Sequence, residues 1–187
     1  MRLILIGAPG AGKGTQAAVL AERFGVPHIS SGALLRRHVA AGTELGRKVA
    51  TYLERGELAP DDLVIEVVDD ALSHAPSGYI LEGFPRTVSQ ARQAEARHGA
   101  GLADAVVFLE LSDDMARQRI AQRMAAGRSD DRAPEVVERR LRAFHTETDP
   151  VIDYFRDRGL LVTVNAAQPP HRVTAAILAA LAGTSRH

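Results

Sequence analysis

The chain has 187 residues, 23 basic against 23 acidic side chains, 45% hydrophobic content and no cysteine. Its length suits one hydrophobic core, its zero net charge excludes a polyanion-binding surface of the kind nucleic acid requires, and the missing thiols exclude a disulfide scaffold, a thiolate nucleophile and a structural zinc-thiolate site. No run reaches the roughly eighteen apolar residues of a membrane span, and the apolar start Leu3 to Ile6 is too short for a signal peptide, so a cytoplasmic protein without a membrane partner is expected.

Short apolar runs predict five buried strands at Arg2 to Ile6, Pro27 to Ile29, Gly78 to Leu81, Ala105 to Leu111 and Leu160 to Val164. Stretches of helical periodicity separate them, which implies a parallel sheet with helices on both faces, an α/β fold. Ser31 to His74 breaks the alternation with two or three helical segments and no strand. It is read as a helical insertion at an edge of the core, bounded and punctuated by Gly32, Gly42, Gly46 and Gly56.

Directly after the first strand comes Gly7-Ala8-Pro9-Gly10-Ala11-Gly12-Lys13-Gly14-Thr15, then the helical pattern from Gln16 to Phe24. Strand, glycine-rich loop and helix start form the context of a phosphate-binding loop: backbone N–H groups approach phosphate oxygens, the helix dipole favours the anion, and the lysine adds a mobile charge. At about 7% glycine per position, four glycines at fixed sites arise by chance with probability of roughly 2 in 100,000 per start, so a mere turn is the poorer account. With 21 arginines and two lysines in the chain, Lys13 is also a rare choice. Gly14 stands where a Ser or Thr usually follows the lysine, which leaves Thr15 to reach phosphate or a magnesium-bound water.

On the residues alone, Ser31 and Arg36 suit one ligand, although a serine cap with surface arginines would read the same. Glu82 ends the third strand, where a carboxylate can face the phosphate loop and hold a magnesium-bound water. Farther along, Arg117 has Asp113 and Asp114 one turn back, Arg139 has Glu135 and Arg142 has Glu138. Arg119, Arg123 and Arg140 lack an acid at helical spacing. These three, with no acid at that spacing, are the candidates for binding an anion.

The segment GAPGAGKGTQ, followed by four further motifs in order, resembles the adenylate kinases among the nucleoside monophosphate kinases. The resemblance runs almost end to end. It implies a P-loop three-layer sandwich around a five-stranded parallel sheet, forming a single domain over 1–187 with a mobile NMP-binding insertion at about 30–59 and a short lid at about 124–134. The implied reaction is reversible phosphoryl transfer from Mg-ATP to AMP, giving two ADP, in a monomer. By the same resemblance, Gly10, Ala11, Gly12, Lys13, Gly14, Thr15, Arg119, Arg123 and Gln168 bind ATP. Ser31, Arg36, the backbone of Glu57-Leu58-Ala59, Gly83, Phe84, Pro85, Arg86, Gln90, Arg128 and Arg140 bind AMP. Lys13, Arg86, Arg119, Arg123, Arg128 and Arg140 surround the transferred group, and Glu82 stands in for the family's usual aspartate near Mg2+.

Gln90 matches the glutamine that reads adenine, whose N1 and N6 edge offers an acceptor and a donor to an amide. Relatives acting on UMP or CMP usually carry an asparagine-rich version of this turn, unlike Thr87-Val88-Ser89-Gln90. Ala33 replaces an acid common in the family, and only Met124 to Gly127 separate Arg123 from Arg128, too few for a long lid. The competing readings are a UMP/CMP-type kinase and, from another class, a non-catalytic P-loop nucleotide-binding module. A module would not need the acceptor set Ser31, Arg36, Arg86 and Gln90.

Overall fold

The structure is a computed structural model that describes residues 1–126 and 133–184. Five strands form one sheet: β1 (Arg2–Gly7), β2 (His28–Ser30), β3 (Tyr79–Glu82), β4 (Ala105–Glu110) and β5 (Leu161–Asn165). The order is β2-β3-β1-β4-β5 and every pairing is parallel. Each strand lies within a residue or so of the expected run, because a parallel sheet buried on both faces requires near-continuous apolar segments.

Alternation along β1 divides the core. Ile4 and Ile6 join the cluster with Val68, Leu81, Phe84 and Phe155, whereas Leu3 and Leu5 join the opposite cluster with Leu20, Val107 and Ile177. Successive strand side chains point to opposite faces, so a single strand serves two helical layers. The helices are α1 (Lys13–Phe24), α2 (Ser31–Ala40), α3 (Glu44–Arg55), α4 (Asp61–Ser73), α5 (Val88–His98), α6 (Asp113–Ala125), α7 (Pro134–Ala143), α8 (Asp149–Arg156) and α9 (Pro170–Thr184). A π-helical turn, Phe144–Thr148, joins α7 to α8.

Side-chain caps start several helices where the sequence offers them: Ser30 Oγ accepts from Ala33 N at 3.4 Å, Thr43 Oγ1 from Gly46 N at 3.0 Å and Thr87 Oγ1 from Gln90 N at 3.0 Å. The expected edge insertion consists of α2 and α3, followed by α4. Gly46, read as punctuation, lies instead inside the first turn of α3. A Cβ there would stand 2.1 Å from the His38 carbonyl oxygen, so glycine is what lets α3 rest on the end of α2.

Candidate active site

The phosphate loop is closed by Gly12, which caps α1 with φ 92° in the left-handed region, a conformation that a side chain would strain. Lys13 is the first residue of α1. Its Nζ folds back over the loop and donates to the carbonyl oxygens of Gly7 at 2.7 Å and Ala8 at 3.0 Å. Burial first, and then the neighbouring Arg86, Arg123 and Arg140, push the Lys13 ammonium down to about 8, with Glu82 opposing them. A buried cation among cations is a site short of negative charge, which a phosphate chain would supply.

Two donors converge on one carbonyl at the end of β3. Ser31 Oγ donates to Gly83 O at 2.6 Å and Arg86 Nε donates to the same oxygen at 2.7 Å. This fixes the start of α2 against the β3–α5 turn and leaves the rest of the Arg86 guanidinium to the cleft. Burial lowers the Arg86 pKa, as do Arg140 and Arg36, with Glu82 again opposing. The backbone of Arg86 is held on both sides, since its carbonyl accepts from Thr148 Oγ1 at 3.0 Å and its N–H donates to Gln90 Oε1 at 2.7 Å. Thr148, on the π-helical turn, had no sequence signal because its partner lies 62 residues away.

Glu82 is 16% exposed, with Oε1 3.5 Å from His28 Nε2, and a methyl group added to Gly14 would lie 3.6 Å from either carboxylate oxygen. The carboxylate therefore borders the phosphate loop, as its strand-end position predicts. His28 is a neighbour that the sequence did not indicate.

Two clefts open on this loop. One, ≈ 430 Å³, is lined by Lys13, Ser31, Arg36, Glu82, Arg86, Gln90 and Arg140, with Leu35, Leu53 and Val64 forming an apolar wall. The other, ≈ 470 Å³, is lined by Gln16, Arg119, Gln122 and Ala166 to Pro170. Gly10, Gly12, Thr15 and Arg123 line both. Each cleft falls in the size range of small-molecule sites, and their shared wall is the phosphate loop.

A family model described as adenylate kinase matches residues 5–160. The chain is 44% identical over 185 residues to adenylate kinase 1 of Nostoc sp. strain PCC 7120, covering 96% of this chain and 98% of that protein. It is 42% identical over 186 residues to the adenylate kinase of Mycobacterium bovis strain BCG, covering 97% and 99%. The adenylate kinase of Streptomyces avermitilis is 38% identical over 213 residues, covering 97% of each chain. The chain belongs to the adenylate kinase family. It is a phosphotransferase of the nucleoside monophosphate kinase class. The Streptomyces alignment is longer than the 187 residues of this chain, so that relative carries segments this one lacks.

With the family in place, the expected site residues can be located one by one. The first cleft gathers Gly10, Gly12, Lys13, Gly14, Thr15, Ser31, Arg36, Glu57, Leu58, Ala59, Glu82, Gly83, Pro85, Arg86, Gln90, Arg123 and Arg140. The second gathers Ala11, Arg119 and Gln168, together with the shared wall. Phe84 does not line either cleft: its side chain is 1% exposed and packs in the core, while Gly83 and Pro85 on either side of it line the first cleft. Arg119 Nη2 donates to Ala166 O at 2.8 Å, which ties α6 to the loop after β5. Gln168 Nε2 lies 3.5 Å from Asn165 O, and Asn165 Oδ1 accepts from Ala167 N at 2.8 Å, so this loop is shaped by its own polar groups. Arg128, and with it the middle of the expected lid, lies outside the described residues.

The sorting of arginines by helical spacing is refined by contacts between helices. Arg117 is paired as expected with Asp114 at 3.2 Å and Asp113 at 3.8 Å, but its shortest contact is to Glu138 of α7 at 2.7 Å. Glu138 is thereby drawn across to α6 rather than along its own helix toward Arg142. Arg139 lies 4.0 Å from Glu57, beyond the end of α3.

Proposed function

We propose that this phosphotransferase moves the terminal phosphoryl group of Mg-ATP reversibly to AMP, yielding two ADP, and acts as a monomer in the cytoplasm. The observation that carries this reading is the pair of clefts meeting at Gly10, Gly12, Thr15 and Arg123, which is what two nucleotides with facing phosphate ends require. ATP would place its base and ribose in the cleft bordered by Arg119 and Gln168 and its phosphates on the loop. AMP would place its base beside Gln90 and its phosphate near Arg36 and Arg86.

Phosphoryl transfer through a loose transition state needs little covalent work from the protein, so catalysis consists of alignment and charge stabilisation. Lys13 would release the Gly7 and Ala8 carbonyls and meet the phosphate chain, and the anion would favour its protonated form. Arg123 lines both clefts and would face the group in flight, with Arg119, Arg140 and Arg128 around it. The acceptor oxygen of AMP is already ionised at neutral pH, so no general base is needed. The magnesium ion would arrive on ATP and supply charge neutralisation at the phosphates. Thr15 and Glu82 are the side chains suited to its coordinated waters. Closure of α2 and α3 over the substrates would exclude water and prevent hydrolysis, a role for which lid closure in adenylate kinases is a standard example.

The test is nucleoside diphosphate formation by purified protein with Mg-ATP and AMP, UMP, CMP or GMP in turn, with EDTA as control. Turnover is expected to be fastest with AMP and to stop with EDTA. No turnover with AMP, or faster turnover with UMP or CMP, overturns the reading.

A further inference from the structure

Gln90 is 1% exposed and borders the acceptor cleft, and both ends of its amide are already engaged from behind. Its Oε1 accepts from Arg86 N at 2.7 Å and its Nε2 donates to Asp61 Oδ1 at 2.7 Å. Asp61 opens α4, and its other oxygen, Oδ2, accepts from Thr87 Oγ1 at 2.9 Å. Thr87 in turn caps α5 by accepting from Gln90 N. Asp61 itself is not among the residues that line the cleft.

The chemistry of these partners allows one orientation. A backbone N–H only donates, so it must face the amide oxygen, and an ionised carboxylate only accepts, so it must face the amide nitrogen. An amide whose ends are otherwise nearly interchangeable is given a defined polarity by Asp61 and the Arg86 N–H. One N–H of Nε2 and one lone pair of Oε1 remain, in fixed positions. Adenine offers an acceptor at N1 and a donor at N6. Hypoxanthine and guanine offer the reverse, a donor at N1 and an acceptor at O6. An amide free to flip would serve either pattern; one held in place serves one.

We propose that Asp61 is a specificity-determining positioning residue that sets the polarity of the Gln90 amide and so favours 6-amino over 6-oxo purine monophosphates as acceptors. The proposal rests on the reading that Gln90 contacts the acceptor base. A carboxylate in the first turn of a helix also favours the helix dipole, and that structural role predicts no change in base preference.

The experiment compares kcat/KM for AMP and IMP in the wild type, Asp61→Asn, Asp61→Glu and Gln90→Ala, with thermal melts of each. IMP presents the 6-oxo pattern without the additional 2-amino group of GMP. Asp61→Asn, whose amide can accept from Gln90 or donate to it, leaves the Arg86 N–H as the one group in this set that fixes the polarity and is expected to reduce the AMP-to-IMP preference by about threefold or more, through the KM of the acceptor and with the KM of ATP unchanged. Asp61→Glu keeps an acceptor-only group and is expected to stay closer to the wild-type ratio. An unchanged ratio in Asp61→Asn with a collapsed ratio in Gln90→Ala overturns the role of Asp61 and leaves the base-contact reading standing. An unchanged ratio in Gln90→Ala overturns the base-contact reading itself. If Asp61→Asn does not fold, the Glu variant decides: a ratio that falls toward that of Gln90→Ala overturns the proposal.

Discussion

The outer helices and the cleft use the same cationic side chains in opposite surroundings. Outside, Arg117 meets Glu138, Asp113 and Asp114, Arg97 meets Asp69, Arg156 meets Asp153 and Arg158 meets Glu95. Inside, Lys13 and Arg86 are lowered by burial and by other cations, and Glu82 is the carboxylate that opposes them. A formally neutral chain thus engages many of its acids in pairs at the periphery and leaves positive charge in excess at the loop. Charge balance over the whole sequence says little about a cleft, whereas the positions of the acids say much.

The largest expected break in that contrast is Lys13→Met, which should lower kcat by on the order of a thousandfold or more, since the charge aimed at the phosphates is lost. The same variant should leave the melting temperature of the nucleotide-free protein no lower, because a buried ammonium is removed with its desolvation cost. A stable, fully active variant would show that the lysine does not serve transfer, and a large fall in melting temperature would show that its burial is not a cost.

Next in size is the pairing of Arg123→Ala with Arg117→Ala in steady-state kinetics. The first should lose about a hundredfold or more in kcat, the second less than about threefold, because an exposed ion pair contributes little even to stability. Comparable losses in both would end the distinction between cleft and periphery.

The pH dependence sharpens it further. Lys13 titrates near 8 when folded against 10.5 in the unfolded chain, so between those values the unfolded state holds more protons. Its contribution to stability therefore grows as pH rises from about 8 to 10.5 and is lost as pH falls back through 8, a range of roughly 3 kcal/mol that Lys13→Met should abolish. Binding of ATP at about pH 9 should take up a proton in the wild type and not in the variant, a difference readable by calorimetry in buffers of different ionisation enthalpy.

The smallest effect is expected at the other lysine. Lys48 makes an exposed pair with Glu44 one turn away on α3, 2.8 Å long, so Lys48→Ala should leave both turnover and melting temperature within error of wild type.

What was legible follows interaction range. Strand–loop–helix at Gly7 to Phe24 could be read directly because the phosphate loop is one continuous segment whose residue types serve its own backbone. Ser31, Arg86 and Gln90 could be placed in one cleft only through the family resemblance, since they come from different elements. Phe84 is expected at the cleft through the resemblance, as part of Gly83-Phe84-Pro85-Arg86, yet apolar side chains beside a strand end are drawn to the core. Arg117 was correctly sorted as paired but for an incomplete reason, as Glu138 reaches it from another helix.

By itself, the sequence determined the parallel α/β architecture, the phosphate loop, the helical insertion and the family, all of which rest on periodicity and on residues contiguous in the chain. Tertiary structure decided that two clefts share one wall, that Ser31 and Arg86 meet on the Gly83 carbonyl, and that Asp61 and the Arg86 N–H orient the Gln90 amide. The Ser31–Gly83 and Asp61–Gln90 bonds join groups 52 and 29 residues apart, and the shared wall depends on strand order in the sheet. Hydrogen bonds act over about 3 Å of space whatever the separation along the chain, so their pairing is settled only when the sheet brings the ends together.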